Sequence, residues 1–352
     1  MSLASASFLA SLLGDREIST MLGTEAGIAA MLRFETALAR SEASVGLVSA
    51  DAASAIAAAC RDLVPDMPKL RESTLRDGVV VPELVRQLRL KVGEPHDAAV
   101  HFGATSQDVI DTALALKLAP VLDLIESRLM KLLADLDALV GRFGDAPLMG
   151  RTRMQAAVPI TAGHRLRTWR SPIQRLIADL PRQRDALLIL TLAGAAGTAE
   201  KFGDKITAVR SAMATELGLG VPDYVPHSDR GRMVDFASFL SLVTGALGKI
   251  GQDIALMAQT GIDEIALSGG GGSSAMPHKK NPVAAEVLVT LARYNATLLS
   301  GMHQALIHEQ ERSGAAWTLE WIILPQMVEA TGCALSHGTA LLSSVESISN
   351  RQ

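Results

Sequence analysis

A long, nearly charge-free segment, Asp235 to Ile265, restricts the fold of this chain more than any other part of the sequence. Apolar and small residues occupy every helical face of it until Lys249 is reached. A helix that is apolar all round has to be buried on every side. In a chain of 352 residues, burial that complete predicts a helix at the centre of a bundle made by several chains.

The remaining composition favours helices packed on helices. Hydrophobic residues make up 48% of the chain but aromatic residues only 3%, so Ala, Leu, Val and Gly form the core, as is typical of close-packed helices. Apolar residues recur at helical spacing in further segments, which are Asp15 to Ser44, Val109 to Phe143 (with a kink or short interruption at Pro120), Thr161 to Leu190 and Val283 to Gln310.

These patterns predict an all-α protein with two domains. Four prolines break the chain into short pieces before residue 103, which indicates an N-terminal helical domain over 1–103. The longer helices predict a central helical bundle domain over 104–352, containing about five long helices. The sequence ends at Gln352 after one more apolar helix, and we expect no C-terminal domain within it.

Several classes of protein are disfavoured. A formal net charge of -4 gives no general attraction to nucleic acid or to an anionic membrane. The uncharged runs 236–248 and 186–199 are shorter than the roughly 18 to 20 residues of a membrane span. Cys60 and Cys333 stand alone without a CxxC motif, so no disulfide framework or zinc ribbon is expected, and a reducing cytoplasm fits. The N-terminus lacks a basic region before Arg16 and is interpreted as a helix rather than a signal peptide.

The segment Gly269 to Pro282, GGGGSSAMPHKKNP, is the strongest candidate for chemistry. Four successive glycines permit backbone conformations that other residues avoid, so the loop can open and close. A lysine near a serine lowers the pKa of the hydroxyl, which lets it act as a base or a nucleophile. The alternative is a mobile surface linker with solvated lysines. A P-loop is excluded because no glycine directly precedes either lysine.

A second candidate is His101 to Asp108, HFGATSQD. Thr105 can cap a helix that begins at Ser106, and Asp108 completes a capping box. A helix cap alone would account for these residues without any role in binding. The functional interpretation is that the free N–H groups of the helix N-terminus, with two hydroxyls beside them, bind a carboxylate.

Both strings resemble conserved blocks of the fumarase/aspartase superfamily, whose members form or break a bond beta to a carboxylate. GSSAMPHKKNP is similar to the signature loop, and HFGATSQDVIDT is similar to the first block in the version shared by adenylosuccinate lyases and carboxymuconate cycloisomerases. The resemblance implies catalytic roles for Ser273 and Lys279 and substrate contacts from other residues of these blocks, which are Met276 and Asn281 in the loop and His101, Thr105, Ser106 and Gln107 in the first block.

A third segment resembles the second conserved block of the superfamily but departs from it. Arg151, Thr152 and Gln155 stand where the block has its substrate-binding residues, but Arg153 replaces a histidine that supports proton delivery in the elimination enzymes. Arginine stays protonated at ordinary pH and cannot act as a general acid, but it pairs well with a carboxylate. A leaving carboxylate needs no proton, so lactone chemistry matches this change. Alternatively, Arg153 is a surface substitution in an inactive or repurposed relative.

A fourth run, His308 to Trp321, resembles the 3-carboxy-cis,cis-muconate cycloisomerases more than the adenylosuccinate lyases. The resemblance implies that Arg312 binds a carboxylate and that Trp317 and Trp321 wall the pocket, although both can be ordinary core tryptophans. His227, in a proline-bounded loop, is a further candidate substrate-binding residue, or else a structural histidine. No pair of histidines has the i, i+4 spacing of a metal site, and neither a metal nor a cofactor is implied.

The resemblance implies cycloisomerisation of 3-carboxy-cis,cis-muconate, a small polycarboxylate, by a homotetramer whose sites each draw on three subunits. Two other hypotheses remain: a C–N lyase of the adenylosuccinate or argininosuccinate type, against which Arg153 argues, and a non-catalytic helical oligomer, against which Ser273, Lys279 and Asn281 argue. The sequence leaves open the face and regiochemistry of addition, the acceptance of unsubstituted muconate, and whether Ser273 or Ser274 ionises.

Overall fold

The computed structural model describes residues 8–276 and 279–349, and its secondary structure is predominantly α-helical. The prediction of an all-α protein is confirmed. The helices are α1 (Ala10–Leu13), α2 (Arg16–Leu22), α3 (Thr24–Ser44), α4 (Ala50–Asp62), α5 (Met67–Asp77), α6 (Val81–Val92), α7 (Ser106–Phe143), α8 (Ala162–Leu187), α9 (Ile206–Leu217), α10 (Gly231–Met257), α11 (Val283–Gln304) and α12 (Ala315–Ser343), with short 3-10 helices at Asp97–Ala99 and Glu200–Lys205.

Two small antiparallel sheets complete the described fold. Strands β1 (Pro147–Thr152) and β2 (Gln155–Thr161) form a hairpin between α7 and α8. Strands β3 (Ile265–Leu267) and β4 (Val345–Ile348) pair where α10 and α12 have ended. Neither pair was predicted: β3 and β4 have only three and four residues, and β2 is exposed along most of its length, so no alternation of buried and exposed residues marks it.

Five long helices, α7, α8, α10, α11 and α12, form the bundle that was expected. Helix α10 packs against α8, α11 and α12, and α7 packs against α8 and α12. We call the end at which α7, α10 and α12 begin the Thr105 end. We call the opposite end, where these three helices finish and the glycine-rich segment lies, the loop end.

The shorter helices cluster near the start of α7. Helix α3 packs against α4, α7 and α9, and one apolar core joins Phe34 and Leu38 to Val109 on α7 and Val209 on α9. The core of the N-terminal helices therefore continues past residue 103. The domain boundary at that position stays a prediction.

Some helix ends expected from the sequence were wrong. The helix expected over Asp235 to Ile265 ends at Met257, because a turn with positive φ at Gly261 and Asp263 intervenes before β3. The helix expected to reach Gln310 ends at Gln304. A kink or a short interruption was predicted at Pro120, and α7 continues through this residue to Phe143.

Helix α10 is only partly enclosed by its own chain. Its inner face is buried, and Gly248 and Gly251 allow α11 to approach so closely that an added Cβ would clash with Ala292 and with the carbonyl of Ala285. On the outer face, however, Leu242 is 65% exposed. The helix is long and apolar enough to span a membrane by length and composition alone, but 61% of its apolar window is buried in protein. Its exposed face is thus a surface that other chains could cover.

Candidate active site

At the Thr105 end, the first turn of α7 and the segment before α12 meet. The capping box predicted from the sequence is present, with the Thr105 N–H donating to Asp108 Oδ2 at 3.0 Å. Arg312 Nη2 donates to Thr105 Oγ1 at 2.9 Å and to the Ala195 carbonyl at 2.8 Å, while its buried Nε has no hydrogen-bond partner among the described residues. A hydroxyl, a guanidinium and a helix N-terminus converge here, which is an arrangement suited to a carboxylate.

Behind Thr105, Asp108 is fully buried and accepts several hydrogen bonds. Its two oxygens accept from the N–H groups of Ala193 and Gly194 at 2.9 and 3.0 Å, and its Oδ1 accepts from His227 Nε2 at 2.8 Å. The His227 ring is only 1% exposed, and its Nδ1 has no partner among the described residues. Asp108 thereby ties the start of α7 to two loops. A role for His227 in substrate binding stays a prediction.

A buried ionic network lies one turn further along α7. Arg230 donates to Asp111 Oδ2 at 2.6 Å and to Glu320 Oε1 at 2.5 Å, and Trp317 Nε1 donates to Asp111 Oδ1 at 3.2 Å. Burial opposes the charge on Arg230, but the two carboxylates outweigh it and raise the pKa of the guanidinium. Burial likewise opposes the charge on Asp111, yet Arg230 lowers the pKa of its carboxyl. Asp111 and Arg230 are therefore ionised, and the network that they form with Glu320 connects α7, α10 and α12 beneath the Thr105 site.

His101 is oriented by a carboxylate of the N-terminal helices. Its Nδ1 lies 2.7 Å from Glu35 Oε1, and its backbone adopts a φ of 60°, a left-handed conformation that is uncommon outside glycine. Burial works against protonation of the ring, but the charge and the hydrogen bond of Glu35 exceed that effect and raise the His101 pKa. The strained backbone and the ion pair fix the ring beside the start of α7.

The loop end carries the glycine-rich segment, and its side chains have few partners. Ser273 Oγ accepts from the N–H groups of Ala275 and Met276 at 3.3 and 3.2 Å. Gly271 and Asn281 exchange backbone hydrogen bonds at 2.9 and 2.8 Å and close the base of the loop. The Lys279 side chain is exposed, and within the described residues no hydrogen bond joins it to Ser273. Pro277 and His278 of the signature string lie outside the described residues.

The β1–β2 hairpin belongs to the same end. Arg153 and Met154 form its two-residue turn with φ values of 50° and 68°, as in the tight turns that match the twist of a hairpin. Arg151 Nη2 donates to Glu264 Oε1 at 3.3 Å, just before β3. Three neighbouring residues that were predicted to bind substrate are exposed, and they are Thr152, Arg153 and Gln155. A cavity of about 580 Å³ lies against this hairpin.

The predicted site residues thus fall into two groups at opposite ends of one chain. Helix α7 has 38 residues, which corresponds to about 57 Å at a rise of 1.5 Å per residue. The group at the Thr105 end comprises His101, Thr105, Ser106, Gln107, His227 and Arg312, and the group at the loop end comprises Arg151, Thr152, Arg153, Gln155, Ser273, Met276, Lys279 and Asn281. A site that uses both groups has to draw on more than one chain.

Sequence reasoning missed several residues that support the Thr105 end. Asp111 follows Asp108 by three residues on α7, so a second inward carboxylate was visible in the pattern. Arg230, Glu320 and Glu35 come from distant parts of the sequence and gave no local signal. Within the described residues no cluster of three or more His, Cys, Asp or Glu side chains has the geometry of a metal site.

The fold and these blocks define the class of protein: residues 14–294 match the Lyase family, and the chain belongs to that family, within the fumarase/aspartase superfamily. More particularly, it is 41% identical over 322 residues to the 3-carboxy-cis,cis-muconate cycloisomerase of Pseudomonas aeruginosa, covering 90% of this chain and 70% of the relative.

Solved structures agree with that relationship. The 3-carboxy-cis,cis-muconate lactonizing enzyme of Pseudomonas putida superimposes with a TM-score of 0.91 at 38% identity, covering 96% of this chain and 77% of the other. The beta-carboxy-cis,cis-muconate cycloisomerase of Acinetobacter calcoaceticus has a TM-score of 0.89 at 32% identity, with 97% and 78% covered. The resemblance found in the sequence blocks is confirmed at the level of family and fold.

Proposed function

We propose that this protein is a cycloisomerase that converts 3-carboxy-cis,cis-muconate to 4-carboxymuconolactone. The observation that carries the proposal is Arg153 at the tip of the hairpin, where related elimination enzymes have a histidine. A permanent cation cannot donate a proton to a leaving nitrogen, but it stabilises a carboxylate that attacks or departs as the anion. The family's relatives that carry the cycloisomerase name support the same reaction.

In the proposed reaction, one substrate carboxylate oxygen adds to a carbon of the conjugated diene and forms the lactone C–O bond. The electron pair of that double bond moves to the adjacent carbon and is shared with its carboxylate as an aci-carboxylate. Ser273 then delivers a proton to that carbon, and in the reverse direction it removes the same proton. One proton is taken up from solvent and no oxidant or reductant is consumed, so neither a cofactor nor a metal enters the scheme.

Charge stabilisation is the largest contribution expected of the protein. Lys279 and Asn281 hold the developing aci-carboxylate, and Thr105, Ser106 and Arg312 hold a second carboxylate at the helix N-terminus. Preorganised donors of this kind typically contribute about 3 to 4 kcal/mol each when the site excludes water. The Ser273 hydroxyl already accepts two backbone hydrogen bonds, which favours its alkoxide form.

We further propose that the active form is a homotetramer in which each site takes its blocks from three subunits. The length of α7 between the two groups of residues and the exposed apolar face of α10 both support this arrangement. Given the proposed substrate, we place the protein in the cytoplasm and in aromatic hydrocarbon catabolism, at the protocatechuate branch of the beta-ketoadipate pathway, with neither nucleic acid nor a membrane as its partner.

The direct test is the ultraviolet absorbance of the diene. Purified protein mixed with 3-carboxy-cis,cis-muconate is expected to abolish the conjugated absorbance, because lactone formation removes one double bond from conjugation. Adenylosuccinate is the control substrate. Cleavage of adenylosuccinate without any loss of the muconate diene would overturn the proposal in favour of a C–N lyase.

Shared sites are tested by mixing two inactive variants with defects at opposite ends. Ser273→Ala and Arg312→Ala subunits, unfolded together and refolded, should regain a measurable fraction of wild-type activity, because some sites then receive neither defect. Each variant refolded alone is the control. If the mixture stays as inactive as the separate variants while forming tetramers by light scattering, each site is built within one chain.

A further inference from the structure

A cavity of about 320 Å³ opens between α3, α7, α12 and the loop that joins α5 to α6, and no member of the two groups of predicted site residues lines it. Its walls are mostly apolar and include Ile110 and Leu114 of α7 and Leu324 and Pro325 of α12. A volume of this size lies at the lower end of the range that small-molecule sites occupy. Two polar groups in the cavity wall have no hydrogen-bond or ion-pair partner among the described residues.

The first of these groups is Lys117, which lines the cavity from α7. No carboxylate of the described residues lies within ion-pair distance of its ammonium, and no described hydrogen bond reaches it. The Lys117 Nζ also lies near Gly27 of α3, 3.9 Å from the position that a Cβ would take there. Burial lowers the pKa of Lys117, and no neighbouring charge offsets this effect. Leaving a cation in such a place is costly unless an anion joins it.

The second group is the indole N–H of Trp321, which also lines the cavity. Its Nε1 is buried and has no hydrogen-bond acceptor among the described residues. The one carboxylate in the wall, Glu320, is already engaged by two hydrogen bonds from Arg230. The cavity therefore presents a cation and a neutral donor without an available acceptor.

We propose that this cavity is a second ligand site, which binds a small carboxylate with a compact apolar body, such as an aromatic acid. The carboxylate accepts from the Lys117 ammonium and the Trp321 indole, and the apolar body fills the space between α7 and α12. Lys117 lies twelve residues after Thr105 on α7, about 18 Å along the helix axis. The site is therefore separate from the carboxylate-binding residues of the proposed reaction.

The proposal is tested with benzoate as the probe and benzamide as its neutral counterpart, using titration calorimetry on the assembled protein. Wild-type protein should bind one benzoate per chain and should bind benzamide much more weakly. In Lys117→Met, benzoate affinity should fall about tenfold to a hundredfold, as expected for the loss of a charged hydrogen bond, and benzamide affinity should stay unchanged. The ratio of benzoate affinity to benzamide affinity is thus the quantity that tests the proposal.

Two further variants test whether a change in benzoate binding is specific to the cavity. Lys131→Met removes an exposed lysine from the same helix, where it pairs with Asp135, and should leave benzoate binding unchanged. Leu114→Phe narrows the cavity but keeps Lys117, and it should weaken both ligands together. Binding of benzoate that is equal in wild type and Lys117→Met, or no binding to wild-type protein, would overturn the proposal.

Discussion

The two ends of the bundle are built on opposite principles. At the Thr105 end, charged groups are buried and paired, and Arg230 makes hydrogen bonds to two carboxylates from two other helices. At the loop end, the hydrogen bonds of Ser273 to described residues come from the backbone N–H groups of Ala275 and Met276, and the Lys279 and Arg153 side chains are exposed. One group of predicted site residues is thus held by buried contacts within the chain, and the other group is largely exposed.

This difference means that the Thr105 end contributes more to the stability of the fold, whereas the loop end is freer to serve a reaction. Buried ion pairs are destabilising when one partner is lost, because the other charge remains without compensation. Exposed loop groups contribute little to folding, so they can be shaped for reaction and for closure over a substrate. We therefore expect substitutions at the loop end to lower activity without unfolding the protein, and substitutions at the Thr105 end to affect folding as well.

The largest expected effect is on catalysis, from Ser273→Ala at the loop end. Removing the proton donor should lower kcat about 10²- to 10⁴-fold, while the free energy of unfolding changes by no more than about 0.5 kcal/mol. Steady-state kinetics and chemical denaturation measure the two quantities. Ser274→Ala is the matched control and should retain activity. If Ser274→Ala is the inactive variant, the catalytic hydroxyl has been assigned to the wrong serine.

A smaller effect, on stability, is expected from Arg230→Met at the Thr105 end. The change removes the buried cation that pairs with Asp111 and Glu320 and should cost about 3 to 5 kcal/mol of unfolding free energy. Thermal and chemical denaturation provide the measurement. Arg182→Met is the control, since this arginine pairs with Asp179 and Asp235 on the surface and should cost no more than about 1 kcal/mol. Equal losses in the two variants would contradict the contrast between the ends.

The smallest effect concerns the pH dependence of His101. Since Glu35 holds the His101 pKa above its unfolded value, the protonated ring stabilises the fold fully below that unfolded value and loses this contribution as pH rises through the folded pKa. Glu35→Gln should lower the pKa, because burial then acts unopposed by the Glu35 charge. Ring NMR titrations, assigned with His101→Gln, measure the change.

Other ionisable groups near the ring also affect the His101 pKa that this titration measures. Asp108 raises and Arg89 lowers the His101 pKa, and both remain in the variant. Glu42, whose pKa is raised to about 9 by burial and by Glu35, stays protonated through the range from pH 5 to 7. The stability difference between wild type and Glu35→Gln should grow as pH falls, by at most about 1.4 kcal/mol per pH unit. A His101 pKa that is the same in both proteins would show that Glu35 does not set it.

Much of the fold could be predicted because the signals were local. Helical periodicity placed the five long helices, and the capping box at Thr105 gave the start of α7 to the residue. The β1–β2 hairpin escaped prediction because its turn is Arg153-Met154, which lacks the Asn-Gly or Asp-Gly pair that commonly indicates such turns. The end of α10 was missed because Asp263 adopts a positive φ that its residue type does not require.

The sequence by itself determined the helical class and the family blocks, because periodicity, capping and short motifs are encoded by neighbouring residues. Only the tertiary structure decided that these blocks lie at opposite ends of a helix about 57 Å long, and that Arg230 joins Asp111 to Glu320. Contacts between residues 90 or more positions apart depend on how helices pack, and packing is a property of the whole chain. The same holds for the cavity around Lys117, which exists only because α3, α7, α12 and the loop between α5 and α6 come together.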